Sequence, residues 1–154
     1  VLDNVRIALQ RQRGGSFDFW RSGKALDVYH DRSRELLAEA RWHCYEIGPA
    51  LSLPYGRKRA LELATTLALD PELMLLDEPM AGMAHEEIDR IAELIRRAAK
   101  SRTVLMVEHN LNVVASLSDT ITVLTRGQVL TEGDYKTVSA DPDVQQAYMG
   151  VGHA

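Results

Sequence analysis

Leu73-Met74-Leu75-Leu76-Asp77-Glu78-Pro79 is the stretch on which the reading of this chain turns. Four consecutive apolar residues without polar alternation suit a strand buried on both faces, as in a parallel sheet. Pro79 cannot donate to a ladder and so helps to end the strand. The strand closes on two carboxylates, and in open α/β sheets ligands sit at the carboxyl ends of the strands. Successive strand residues point to opposite sides. Asp77 and Glu78 can therefore do different jobs, one facing a metal and the other a water.

A second apolar run, Val104-Leu105-Met106-Val107, ends in Glu108-His109-Asn110. If the two strands lie side by side, Asp77, Glu78 and His109 converge at one sheet edge. A carboxylate is a hard oxygen ligand suited to Mg²⁺, directly or through water. A second carboxylate can orient or deprotonate a water, and a histidine can hydrogen-bond a transferring phosphate. These are the parts that phosphoryl-transfer hydrolysis needs. Taken singly, each has a plainer reading: an Asp-Glu pair can be a cap or a solvated turn, and a lone histidine can be structural. A metal hydrolase built on Asp77, Glu78, His85 and His109 would lack any compact ligand motif such as H-E-x-x-H.

Around these strands the pattern alternates. Leu53-Pro54-Tyr55-Gly56 precedes a helix expected over Arg57–Leu69, with Leu61, Ala64 and Ala68 at helical spacing, and Asp70-Pro71 stops it. After Pro79 a turn, Met80-Ala81-Gly82-Met83, leads to a helix from His85 to about Lys100. Its apolar stripe is Ile88, Ile91, Ala92, Ile95 and Ala99, and Glu86 and Glu87 lie in its first turn, where the dipole favours acids. A helix follows over Leu111–Leu117. Ile121–Thr125 and Gln128–Thr131 flank Arg126-Gly127 as a tight two-residue hairpin. Short helices near Tyr135–Ser139 and Val144–Met149 close the chain. Upstream, Asp3 or Asn4 can cap a helix over Val5–Gln10. Arg11–Gly23, with Phe17, Phe19 and Trp20, reads as an irregular loop whose aromatics pack on the core or, as the alternative, form an exposed contact for a partner. Lys24–Arg41 reads as a helix carrying Leu26, Tyr29, Leu36, Leu37 and Ala40, and Trp42–Leu53 as a connector. The expected class is α/β, with a helical subdomain over 1–70 and a strand-helix subdomain over 71–154.

Composition bounds the function. The 154 residues are 45% apolar and 26% charged, ordinary for a globular protein. A net charge of −4 argues against a general nucleic-acid binder, and Arg57-Lys58-Arg59 reads as a solvated helix face. Cys44 is the single cysteine, so no internal disulfide can form and a reducing cytoplasm fits. It reads as a small buried hydrophobe. No run of about 18 apolar residues occurs, so any membrane contact would go through a partner. The opening Val1-Leu2-Asp3 reads as an internal start, the expectation being a fragment or an excised domain.

In order, Leu53-Pro54-Tyr55-Gly56-Arg57, Leu73 to Pro79, Met80-Ala81-Gly82-Met83 and Val107-Glu108-His109 resemble the signature, Walker B, D-loop and switch histidine of an ABC transporter ATPase subunit. Leu-Pro-Tyr-Gly, Ala-Gly-Met and the closing Asp141-Pro142…Ala147-Tyr148-Met149-Gly150 look most like the branched-chain (hydrophobic) amino acid uptake subfamily. The resemblance covers essentially the whole chain, most firmly from Leu53 onward. It implies a P-loop NTPase-like fold, ATP and Mg²⁺ as cofactors, and a cytoplasmic place on the inner face of the cell membrane. Asp77 would hold Mg²⁺ through water, Glu78 would polarise the attacking water, and His109 would contact the γ-phosphate. Pro54, Tyr55, Gly56 and Arg57 would face ATP on the partner of a head-to-tail homo- or heterodimer, with Gly82, Met83 and Ala84 as the D-loop. Gly56 would let the backbone approach that phosphate at a helix N-terminus. Inner-membrane permease subunits would be direct partners, a periplasmic binding protein an indirect one, and nucleic acid none.

The chain also departs from the family pattern. Pro54 stands at the usual signature serine, Arg57 at the common glutamine and Ala84 at the usual D-loop Asp or Asn. No G-x-x-x-x-G-K-[ST] is present: Gly23-Lys24 is followed by Ala25, and Asp18 stands where the earlier glycine belongs. The polypeptide alone is therefore expected to be inactive, and an exposed sheet edge to promote self-association. Two other classes stay open at this point. One is a non-catalytic interaction module that docks a permease or another partner. The other is an ABC-type ATPase of DNA repair or translation, against which the absence of a long coiled-coil insertion counts.

Overall fold

The apolar run expected to form a strand does so as β1 (Leu73–Asp77), and it pairs in parallel with β2 (Thr103–Val107), from Leu73↔Thr103 to Asp77↔Val107. This is a computed structural model that describes residues 1–14, 23–39 and 48–149. The chain divides into two units, Val1–Val107 and Glu108–Ala154, each described by itself. Phe17, Phe19, Trp20, Ala40, Trp42, Cys44 and Gly150, singled out in the sequence, lie outside the described residues.

In the first unit, α1 (Leu2–Gln12), α2 (His30–Glu39) and α3 (Tyr55–Ala68) pack on one another. Their shared core holds Val5, Leu9, Leu36, Leu37, Ala64 and Ala68. The buried positions of α3, from Gly56 and Ala60 through Leu63, Ala64 and Leu67, keep the spacing of one helical face. α4 (His85–Ala99) joins β1 to β2 and packs on β2 and α3, making a β-α-β unit.

Several expectations are corrected. β1 and β2 are not buried on both faces. Met74 is 2% exposed, but Leu75 is 69% and Leu105 61% exposed, because no described residue covers the second face of the pair. α1 begins earlier than expected and has no side-chain cap; Asp3 instead lies in its first turn and pairs with Arg6 at 3.3 Å. The helix expected from Lys24 starts as a tighter 3₁₀ segment, Gly23–Tyr29, and becomes α-helical at His30. Ser33 Oγ donates to Tyr29 O at 2.7 Å across that junction and is itself fully buried. On α4 the buried face includes Leu94 and Ala98 in place of Ile88 and Ala99, a small rotation of the expected stripe toward α3 and β2.

In the second unit, α5 (Leu111–Leu117) precedes a hairpin of β3 (Ile121–Thr125) and β4 (Gln128–Gly133). Arg126 and Gly127 both have positive φ, 49° and 78°, the mirror-image turn that matches strand twist. A bulge between Val123 and Leu124 shifts the register. α6 (Tyr135–Ala140) and α7 (Pro142–Val144) follow, and Val123, Val138 and Val144 form the small core. Asp134 Oδ1 caps α6 by accepting from Thr137 N at 2.8 Å, and the Thr137 side chain first, with this backbone bond second, holds the Asp134 carboxyl below its ordinary value.

Candidate functional site

Asp77 is the last residue of β1, exposed, and in register with Val107. Glu78 extends the pairing by one more bond, its N–H donating to Val107 O at 2.9 Å. There the strand breaks, because Glu78 adopts φ 43°. A non-glycine residue in the left-handed region is uncommon and costs about 1–3 kcal/mol. Such strain is concentrated at functional sites, and here it redirects the chain immediately after a pair of carboxylates. Pro79 and Met80 are buried behind the turn, which anchors it.

The turn is built in two steps. Ala81 N donates to Glu78 O at 3.1 Å, and Met83 N to Met80 O at 3.4 Å. Gly82 takes φ 71°, which a side chain would resist. Ala84 then stands at the N-cap of α4 and offers no side-chain cap. Glu87 N and Ile88 N bond back to the Ala84 carbonyl.

At the start of α3, Pro54 is the N-cap, extended in backbone and without a capping side chain. Gly56 in the first turn is buried. A Cβ added there would lie 2.4 Å from the Cδ and Oε1 of Glu87, so only glycine leaves room for that carboxylate. Tyr55 is half exposed. The Arg59 guanidinium lies 5.7 Å from its ring centroid and donates from Nε to its hydroxyl at 3.3 Å. Arg59 also pairs with Glu62 at 2.8 Å, and these two partners, Glu62 first, push its pKa up. An added Cβ on Gly82 would lie 3.7 Å from Tyr55 Cε1. The tyrosine and the glycine turn are thus neighbours within one unit.

The structure therefore brings together Tyr55, Gly56, Gly82 and the first turn of α4, and places Asp77 and Glu78 at the end of β1. His109 belongs to the second unit. It is exposed, and its backbone N–H donates to Glu108 Oε2 at 3.2 Å. Asn110 follows as the N-cap of α5, its Oδ1 accepting from Asn112 N and Val113 N at 3.1 and 3.4 Å. Sequence reasoning missed Glu87 and Arg59 as neighbours of the Tyr55-Gly56 turn. The signal for Glu87 was present, since an acid in the first turn of α4 was legible. The partner it meets across the fold was not.

Among the described residues no group of three or more His, Cys, Asp or Glu could hold a metal by protein ligands alone. Asp77, a single exposed hard-oxygen ligand, fits the way Mg²⁺ is bound, through one or two carboxylates with waters and substrate phosphates. No helix among the described residues is long and apolar enough to cross a membrane.

Comparison with known proteins supplies the context. Residues 128–154 match a family model described as branched-chain amino acid ATP-binding cassette transporter. The high-affinity branched-chain amino acid transport ATP-binding protein BraF of Pseudomonas aeruginosa is 39% identical over 101 residues, 64% of this chain and 40% of that protein. LivG of Escherichia coli, with the same description, is 38% identical over 103 residues, 66% of this chain and 40% of its own length. An uncharacterised ABC transporter ATP-binding protein of Rhizobium meliloti is 34% identical over 151 residues, 97% of this chain and 52% of that protein. The chain thus spans about half, or less, of the length of these relatives. Among solved structures, an ATP-binding cassette of an ABC transporter in its ADP conformation matches with TM-score 0.69 at 24% identity, over 96% of this chain and 62% of that one. A nucleotide-free cassette matches with TM-score 0.67 at 22% identity, over 97% and 62%. These structural likenesses carry the fold alone: the chain shares the mixed α/β fold of those cassettes.

Proposed function

We propose that this chain is part of an ABC transporter ATP-binding subunit of the branched-chain amino acid type, and that it supplies the Walker B and signature portion of an ATP-hydrolysing importer subunit; the match over residues 128–154 and the three relatives support this reading. The observation that carries the reading is the end of β1. An exposed carboxylate on the last ladder residue is followed by a second on a residue at φ 43°, tied by its N–H to the neighbouring strand.

In this reading Asp77 would hold Mg²⁺ through water, and the ion would supply charge neutralisation at the phosphate oxygens. Glu78 would orient the attacking water and take its proton as the water adds to the γ-phosphorus and the bond from that phosphorus to the β–γ bridging oxygen breaks, releasing ADP and phosphate. His109 hydrogen-bonds the γ-phosphate. Pro54, Tyr55, Gly56 and Arg57 face ATP held by a second ATPase subunit. There the first-turn amides of α3 and its dipole favour an anion. Gly82, Met83 and Ala84 form the cross-dimer turn, and the nearness of Gly82 to Tyr55 supports a shared surface. The working division is residues 1–70 as the signature-bearing part and 71–154 as the Walker B and switch part.

ATP binding would close the dimer and hydrolysis would reopen it. That cycle would drive inner-membrane permease subunits fed by a periplasmic binding protein, for uptake of branched-chain or related amino acids. The subunit would lie on the cytoplasmic face of the membrane. The names of the two transport relatives support the solute class. The 154 residues contain no P-loop, and we propose that alone they neither bind ATP tightly nor hydrolyse it.

The test joins these residues to the part of the Pseudomonas aeruginosa relative that the match leaves uncovered and measures phosphate release. Turnover should appear in the joined protein and be absent from the chain alone. Glu78→Gln should lower turnover by at least about 100-fold while ATP still binds. Undiminished turnover in the Glu78→Gln protein would refute the assignment of the base. Turnover by the 154 residues alone would refute the claim of inactivity.

A further inference from the structure

Two adjacent residues at the start of α3 each meet the chain between β1 and the first turn of α4. The Tyr55 ring rests beside the glycine turn, its Cε1 lying 3.7 Å from where a Cβ on Gly82 would stand. Arg59 fastens that ring by donating from Nε to the tyrosine hydroxyl at 3.3 Å. Gly56, the next residue, is buried, and the space left by its missing side chain is filled by the Glu87 carboxylate. An acid is favoured there, because the first turn of α3 is the positive end of that helix.

Glu87 is tied in turn to the end of β1. Its N–H donates to the Ala84 carbonyl at 2.9 Å, and Ala84 is the N-cap of α4. At the other end of the same turn, Ala81 N donates to Glu78 O at 3.1 Å. A short path of bonded and packed groups thus runs from Glu78 through Ala81, Ala84 and Glu87 to Gly56. Close-packed groups transmit displacement rather than absorb it. A shift of the α4 first turn therefore carries the carboxylate with it, and the carboxylate carries Gly56.

We infer that Glu87 is a positioning residue for the Tyr55-Gly56 turn: its carboxylate is a spacer that sets the distance between the first turns of α3 and α4, and so sets where the Gly56 backbone stands. The inference rests on the reading that this turn faces ATP held by a second subunit. It adds that the turn is placed from the hydrolytic end of its own chain. Gly56 then has a second reason to be glycine. Besides letting a phosphate approach, it must admit a carboxylate from α4. The spacer acts through its reach, because what it fills is the space above a glycine α-carbon.

The test is steady-state ATP turnover of the joined protein described above. Glu87→Ala should lower kcat at least about tenfold, since a misplacement of about 1 Å can cost about 100-fold. KM for ATP should change by less than about threefold, because the interaction lost is one made in the closed, reacting state. Glu87→Gln keeps the reach of the side chain without its charge and should hold kcat within about threefold of the unsubstituted protein. Glu87→Asp keeps the charge but draws it back by one methylene, and should be slower than Glu87→Gln. That contrast decides the matter if Glu87→Ala does not fold. Asp89→Asn, at an exposed acid of the same helix, should leave kcat unchanged. A smaller loss in Glu87→Ala would overturn the inference, as would Glu87→Gln as slow as Glu87→Ala, or Glu87→Asp as fast as Glu87→Gln. A joined protein that is silent without any substitution would instead overturn the reading of the ATP site, and the inference with it.

Discussion

Replacing Gly56 by alanine tests how tightly the start of α3 is keyed to α4. The new methyl group would lie 2.4 Å from the Cδ and Oε1 of Glu87 and 2.6 Å from its Oε2. Comfortable contacts begin near about 3.5 Å, so the carboxylate must withdraw by roughly 1 Å. It is the free end of a flexible side chain, and the move costs about 0.5–1.5 kcal/mol in rotamer strain. Against this, alanine gains up to about 1 kcal/mol over glycine within a helix. The single variant should therefore be close to neutral, and its near-neutrality conceals two opposed terms. A double-mutant cycle separates them. In a Glu87→Ala background nothing obstructs the methyl group, and Gly56→Ala should stabilise by up to about 1 kcal/mol. The expected coupling is about 0.5–1.5 kcal/mol. Urea unfolding of the four proteins, monitored by far-ultraviolet circular dichroism, measures it. A cycle that closes within about 0.3 kcal/mol would show that Glu87 does not press on Gly56 in solution.

Other expectations follow from the same geometry. Met74 is 2% exposed, and Met74→Ala should cost about 2–5 kcal/mol in denaturant unfolding. Gly127 sits at φ 78° with nothing within 4 Å of an added Cβ, so Gly127→Ala should weaken the hairpin through backbone strain alone, by about 1–2 kcal/mol. The Asp134 carboxyl is held below its ordinary value of 3.8 by its bond to Thr137, so the stability it lends is present above that value and is lost as pH falls through the lowered one. Amide exchange at Thr137 should show this acid-side loss, and Asp134→Asn should remove it. The open face of β1–β2, with Leu75 and Leu105 uncovered, should make the apparent mass rise with concentration in light scattering. A monomer mass constant over concentration would contradict that.

The elements were legible wherever local chemistry decides them. α5 and the hairpin fall where periodicity and Arg126-Gly127 placed them, and α3 and α4 start or stop within two residues of expectation. The parallel pairing of β1 with β2 was legible too, because unalternating apolar runs on either side of a helix leave few other solutions. Burial was less legible. Leu75 and Leu105 carry the composition of a doubly covered strand, yet composition does not supply the second cover. Of the candidate site, the residue identities were readable, but not the left-handed turn at Glu78, since glutamate has no preference for it. Nor was the meeting of Gly56 with Glu87, which depends on how two helices cross rather than on either sequence.

The bond from Glu78 N to Val107 O has a consequence for evolutionary change. It makes the second strand a ruler for the first. A single-residue insertion or deletion within Thr103–Val107 would leave composition and hydropathy almost untouched. It would nevertheless shift the phase of the ladder, turn every side chain of that strand to the opposite side, and remove the acceptor that holds Glu78 past its turn. Length variation among functional descendants of this chain should therefore collect in the connections, such as Ser118-Asp119, and spare the strand from Thr103 to Val107.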